Sequence, residues 1–124
     1  MQSEWLQRTE LLVKEEGIER LQSANILIVG LGGVGSFAAE FLVRSGIGNL
    51  TIVDGDTVDI TNINRQLPAL NSTIGKNKTD VVAERILDIN PEINLKKINE
   101  FLEPERMEKI LTQEKFDYVL DCID

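Results

Sequence analysis

Four apolar residues, Ile26-Leu27-Ile28-Val29, run straight into Gly30-Leu31-Gly32-Gly33-Val34-Gly35, and an apolar-periodic stretch follows. This order constrains the chain to a strand, a glycine turn and the start of a helix. The unpaired N–H groups and positive dipole end of such a helix form a cradle for phosphate. Gly30 permits the tight turn, Gly32 lets the backbone approach a phosphate, and Gly35 lets the helix pack closely on the strand. Gly33 is a further glycine that widens the loop. Glycines at this spacing also occur as a bare packing turn; the strand before them and the helix after them favour a ligand.

A second apolar string, Leu50-Thr51-Ile52-Val53, ends at Asp54. That position is about two dozen residues beyond the first glycine, where a dinucleotide fold places the carboxylate that holds ribose hydroxyls. An NAD-binding oxidoreductase fits to this point. The following stretch, from Asp54 to Leu70, reads DGDTVDITNINRQLPAL. A hydride-transfer site has no evident need for Asp56, Asn62, Arg65 and Gln66 close behind the ribose carboxylate. A phosphoryl or nucleotidyl site does, because Arg65 and Lys78 supply fixed positive charge for phosphate oxygens and Asp124 offers a carboxylate for a divalent cation. For an arbitrary arginine a surface salt bridge is the commoner role. A P-loop is excluded, since Gly75-Lys76 is followed by Asn77 where that motif needs Ser or Thr after its lysine.

Taken together, GLGGVG, DGDTVDITNINRQ, the Gly75-Lys76-Asn77-Lys78 turn and the terminal VLDCID resemble the E1-like adenylating family over nearly the whole chain. Its members include ubiquitin-activating enzymes and the activators of sulfur-carrier proteins. Within it, GVGSFAAEFLVRSGIG and TNINRQLPAL look most like the tRNA threonylcarbamoyladenosine dehydratases. Sulfur-carrier activators more usually read SNLQRQ where this chain has Thr61 to Gln66.

The resemblance implies a cofactor pair, ATP and Mg²⁺, and a set of roles. It assigns Gly33 and its neighbours to the ATP phosphates, Asp54 to the ribose, Asn62 and Arg65 to the phosphates, Lys78 to the α-phosphate and Asp124 to magnesium. Arg8 matches an arginine that in dimeric members reaches into the partner subunit's site; an ordinary exposed residue on an amphipathic arm is the alternative. The implied reaction is attack of a substrate carboxylate on the α-phosphorus of ATP. The acceptor is a tRNA in the dehydratase reading and a ubiquitin-like sulfur-carrier protein in the other. A homodimer is implied as well.

Acidic residues outnumber basic ones by 21 to 13, a net charge of −8. Proteins that bind RNA through its phosphates usually present a basic face, so this balance counts against the tRNA reading. A local cluster of Lys76, Lys78, Lys96 and Lys97 is the place where such a face is still to be sought. The N-terminus lacks the basic start and apolar core of a signal peptide, and no apolar run reaches the roughly 18 residues of a membrane span. The lone Cys122 cannot form an internal disulfide, which points to a reducing, cytoplasmic setting, and its place at the end of an apolar strand predicts a buried, inert thiol.

Residues 1–24 read as an amphipathic arm carrying Leu11, Leu12, Ile18 and Leu21, interrupted near Gly17. Residues 25–124 read as the ATP-binding half. Strands are expected over about 25–29, 50–53, 94–98 and 116–121, and helices over about 33–45, 78–89 and from Pro104 to Gln113. The helix after the glycines is expected to bury Val34, Phe37, Ala38, Phe41 and Leu42. Strands alternating with helices predict an α/β, Rossmann-like nucleotide-binding fold with a mainly parallel sheet, right-handed crossovers and a ligand at the strands' C-terminal edge. No helix follows the last strand, so the chain reads as the N-terminal part of a larger E1-like domain whose acceptor-binding part is missing, with an open sheet flank that favours association. A non-catalytic nucleotide-binding module is the remaining alternative.

Overall fold

A computed structural model describes residues 4–124, so the first three residues of the expected arm lie outside the described residues. After a 3₁₀ turn (Glu4–Leu6) come α1 (Gln7–Ser23), β1 (Asn25–Val29), α2 (Gly35–Arg44), β2 (Asn49–Val53), a second 3₁₀ turn (Ile60–Asn62), α3 (Lys78–Ile89), β3 (Asn94–Ile98), α4 (Pro104–Gln113) and β4 (Tyr118–Asp121). The four strands form one sheet in the order β3-β2-β1-β4. All three pairings are parallel, with Ile28 of β1 opposite Ile52 of β2 and Leu120 of β4.

The central strand β1 is an unbroken apolar run because both of its faces are covered. Ile26 and Ile28 point into one core with Leu50 and Ile52, closed by Ala39 and Val43 of α2 and Val82, Ala83 and Ile86 of α3. Leu27 and Val29 point into the other, with Val53 and with Ile110 of α4. Each fully buried aliphatic side chain contributes about 1.5–3 kcal/mol relative to exposure. Arg85 of α3 ties the two helices of the first layer together: it donates to Glu40 of α2, which also accepts from Arg44 Nε at 3.3 Å. Those hydrogen bonds, from Arg85 above all, hold the Glu40 carboxyl below the usual range against the opposing effect of burial.

Two sequence expectations are corrected here. The side of α2 that packs is Ser36, Ala39 and Val43, with Leu42 of the expected set packed beside them and Ala38 partly buried, whereas Val34, Phe37 and Phe41 are 70%, 39% and 63% exposed. Both sets satisfy helical spacing; the small residues win because Gly35 brings the helix hard against the end of β1, leaving no room for an aromatic ring. The rings of Phe37 and Phe41 lie outside, 6.4 Å apart.

The break in α1 falls at Lys14 (φ 66°, ψ 174°) and not at Gly17. Gly17 is inside the second helical segment, where it makes room for Val13: a Cβ there would lie 2.6 Å from Val13 Cβ. Of the four apolar residues expected to form the arm's buried stripe, Ile18 is fully buried and Leu21 packs on the core, but Leu11 and Leu12 are exposed. On the open flank of the sheet, Tyr118 and Val119 of β4 are exposed too.

Candidate functional site

Chain order runs outward from β1 through β2 to β3 and then returns to the other side of β1 for β4. The two strands that diverge in this way, β1 and β4, leave a crevice beyond their carboxyl ends, the usual ligand position of an open parallel sheet. A cavity of about 300 Å³ opens there. It is lined by Gly30, Gly32, Asp54, Asp56, Gln66, Lys78 and Asp124 from the sequence-derived set, and also by Glu100, Phe101, Leu102, Cys122 and Ile123.

Backbone contacts build its floor. Gly30 has φ +98°, and a Cβ on it would lie 2.6 Å from the Cys122 carbonyl oxygen. Its N–H donates to Val53 O at 2.8 Å, while Cys122 N–H donates to Val29 O at 2.8 Å. A Cβ at Gly35 would lie 1.7 Å from the Gly30 carbonyl oxygen. Gly30 and Gly35 are thus required by close approach of backbone to backbone. Gly32 and Gly33 face the open side, where their nearest neighbours are the side chains of Gln66 and Arg65.

Asp54 fastens the glycine turn to the end of β2. Its Oδ2 accepts from Leu31 N–H and its Oδ1 from Asp56 N–H, both at 2.8 Å. The chain then loops out and comes back. Val58 N–H donates to Lys76 O and Gly75 N–H to Val58 O, each at 2.8 Å, closing the loop at its neck. Lys78, the first residue of α3, arrives beside Asp56 and donates its own N–H to Asp56 O at 3.1 Å.

The Lys78 side chain is only 6% exposed, and its Nζ lies 3.4 Å from Asp56 Oδ2, a carboxylate that is 56% exposed. A buried ammonium needs a counter-charge, and here the counter-charge is long, single and solvated. This arrangement leaves Lys78 able to take a second anion. Gln66 is also buried, and its Oε1 has no hydrogen-bond partner among the described residues. Leaving such an oxygen unpaired costs about 1–3 kcal/mol, so a group that donates to it is the natural complement of the cleft.

Other predicted residues are placed differently. Asn62 is buried in the loop and works as a cap: its Oδ1 accepts from Asp59 N–H at 2.8 Å, and its carbonyl accepts from Arg65 and Gln66 N–H. Arg65 is exposed beside Gly33, with Nη1 donating to Thr61 O at 3.2 Å and to Asn64 Oδ1 at 2.8 Å. Arg8 lies on α1 among Gln7, Glu10, Leu11 and Lys14, away from the cleft lining. Cys122 is half-buried, and burial followed by the Asp121 charge pushes its thiol up, which keeps it protonated and unreactive.

The expected lysine cluster is broken into ion pairs. Lys96 meets Glu114 at 3.0 Å and Lys97 meets Asp80 at 2.7 Å. With Lys78 held at Asp56, three of the four lysines of the expected cluster are engaged with carboxylates, and Lys76 is the exposed fourth. Glu100 to Leu102 of the lining went unnamed in the sequence reading, although the rule that ligands sit beyond strand ends applies to the β3–α4 loop as well.

Comparison with known proteins gives this geometry relatives. The tRNA threonylcarbamoyladenosine dehydratase of Haemophilus influenzae is 49% identical over 113 residues, 91% of this chain and 43% of that protein. The molybdopterin-synthase adenylyltransferase of the same organism is 39% identical over 88% of this chain and 44% of its own length. Among solved structures, the tRNA N6-threonylcarbamoyladenosine dehydratase TcdA of E. coli in complex with ATP superposes with a TM-score of 0.93 at 41% identity, over 99% of this chain and 51% of that one. The chain therefore spans about half the length of the relatives it matches. The ThiF family profile matches residues 6–124, and the chain belongs to the ThiF family.

Proposed function

We propose that this chain is the ATP-binding half of an enzyme that adenylates a substrate carboxylate, and that the carboxylate is the threonyl carboxyl of a threonylcarbamoyl-modified adenosine in tRNA. The observation that carries this reading is the cleft at the β1/β4 divergence, with buried Lys78 beside Asp56, in a chain so like a dehydratase solved with ATP. The carboxylate oxygen bonds to the α-phosphorus as the bond to the bridging oxygen breaks, releasing pyrophosphate. A nitrogen or oxygen of the same modified base then attacks the activated carbonyl, closing a ring and expelling AMP.

The protein supplies no nucleophile. Its residues align two anions that repel one another and meet the charge that develops between them. Lys78 and Arg65 are assigned to phosphate oxygens, the Nε2 amide of Gln66 beside Gly32 is the further donor, and Asp54 is assigned to the ribose, with lone pairs left over from its two backbone contacts. Magnesium, where bound, neutralises phosphate charge. Asp54 and Asp56 are engaged by backbone N–H groups and Lys78, so Asp124, in the same lining, is the carboxylate that would hold the cation.

The charge distribution favours a second acceptor, a ubiquitin-like sulfur-carrier protein, because the net charge is −8 and Lys96 and Lys97 are engaged in ion pairs. Pyrophosphate exchange by the full-length protein decides between them. Modified tRNA is expected to stimulate exchange; stimulation by a carrier protein alone would transfer the activity to the second acceptor, and exchange with neither would remove the adenylation reading.

We also assign the exposed face of α2 to a homodimer. Val34, Phe37 and Phe41 form a stripe that begins at the glycine turn, so a second copy seated there lies beside that turn. Sedimentation velocity is expected to show a dimer that Phe41→Glu dissociates; a wild-type monomer at tens of micromolar would end this assignment. Among the described residues no helix is long and apolar enough to cross a membrane, and a cytoplasmic setting accords with the lone thiol.

A further inference from the structure

The lining of the cleft is divided by chemistry. Gly32, Gln66 and Asp124 lie together, a Cβ on Gly32 standing 3.4 Å from Gln66 Nε2 and 4.0 Å from Asp124 Oδ2, while Lys78 sits beside Asp56 and the β3–α4 loop supplies Phe101 and Leu102 beside Gly55. Phe101 is the only aromatic residue in the lining and is 73% exposed. A single exposed apolar side chain is ordinary, but this one is held in place from several directions.

Leu102, the next residue, packs into the second core with Val53 and Ile110. Glu100, the residue before, is bound by Arg106 of α4 at 3.2 Å. Gly55, directly after Asp54, lies so close that a Cβ on it would sit 2.5 Å from Phe101 N and 2.7 Å from the ring's Cδ2. The loop backbone is therefore pinned against the residue that follows Asp54, and the aromatic ring is displayed at the cavity.

We propose that Phe101 is the stacking platform for the purine base of the bound nucleotide. The proposal rests on the ATP reading given above. With phosphates at Lys78 and the ribose at Asp54, the base continues in the direction of Gly55 and meets the Phe101 ring. Stacking on one aromatic face is worth about tenfold or more in affinity. Because the base is held alike before and during reaction, the effect falls on binding and not on the chemical step.

Calorimetric titration of wild type, Phe101→Ala and Phe101→Tyr with ATP and with AMP tests this. Phe101→Ala is expected to weaken both nucleotides by about the same factor, tenfold or more, while the urea unfolding midpoint stays close to wild type. Phe101→Tyr restores the affinity, since it restores the ring. Unaltered ATP affinity in Phe101→Ala overturns the proposal, as does failure of the tyrosine to restore it. Should wild type itself bind neither ATP nor AMP, the nucleotide reading fails and the stacking role with it, an outcome distinct from a wild type that binds and an alanine variant that binds equally well.

Discussion

Replacing Lys78 by alanine in the full-length enzyme is expected to lower adenylation turnover by about two to three powers of ten, the usual cost of removing one preorganised donor to developing charge. The KM for ATP should change much less. Lys78 Nζ is buried and held by one long contact to Asp56, so little of its charge is committed in the resting site. An interaction that strengthens as negative charge accumulates at the α-phosphate appears in kcat, whereas one equally strong in ground and transition states appears in KM. Arg65→Ala is expected to behave in the same direction, with its exposed guanidinium released from Thr61 and Asn64. Asp54→Ala should do the reverse for nucleotide, raising KM, and should also loosen the glycine turn, because Asp54 anchors Leu31 N–H. Rapid-quench measurement of adenylate formation beside equilibrium ATP binding separates the two parameters. A Lys78→Ala enzyme with intact turnover and only a raised KM would reduce the lysine to a tether.

The parallel sheet was legible in the sequence because each strand is a short apolar run ending in a polar or glycine signal and followed by a helix pattern. The positions of Asp54 and Asp124 followed from the same logic, since both fall just past strand ends. What periodicity could not reveal was which apolar face of α2 packs. The answer depends on how near the helix axis comes to the sheet, a distance fixed by Gly30 and Gly35 in three dimensions and not by residue size along the chain. Asn62 was harder still. Its side chain has the chemistry of a phosphate donor and of a cap; the fold of the 54–77 loop turns its oxygen toward Asp59 N–H, a contact that engages the acceptor and not the Nδ2 donor. The β3–α4 loop carried no motif, so Phe101 became visible as a site residue only once Gly55 had drawn that loop to the cleft.

The glycines of a single motif are expected to separate into two kinds when each is replaced by alanine. At Gly35 the new Cβ would stand 1.7 Å from the Gly30 carbonyl oxygen and 3.1 Å from Cys122 Cβ. Backbone on a central strand cannot rotate away as a side chain can, so α2 must lift from the sheet and open the core beneath Ala39 and Val43. Such overpacking costs about 3 kcal/mol or more, and the urea unfolding midpoint of Gly35→Ala should fall accordingly. At Gly32 the nearest atom to the new Cβ is Gln66 Nε2 at 3.4 Å, an ordinary contact with the end of a side chain. Gly32→Ala should therefore unfold at nearly the wild-type midpoint, yet lose about tenfold or more in ATP affinity if backbone N–H groups must reach the phosphates across that space. The two readouts answer different questions. A Gly35→Ala protein as stable as wild type would contradict the close approach of helix and strand. A Gly32→Ala protein that binds ATP normally would mean that the turn supports the fold without touching the nucleotide, and phosphate recognition would then pass to Lys78, Arg65 and Gln66 alone.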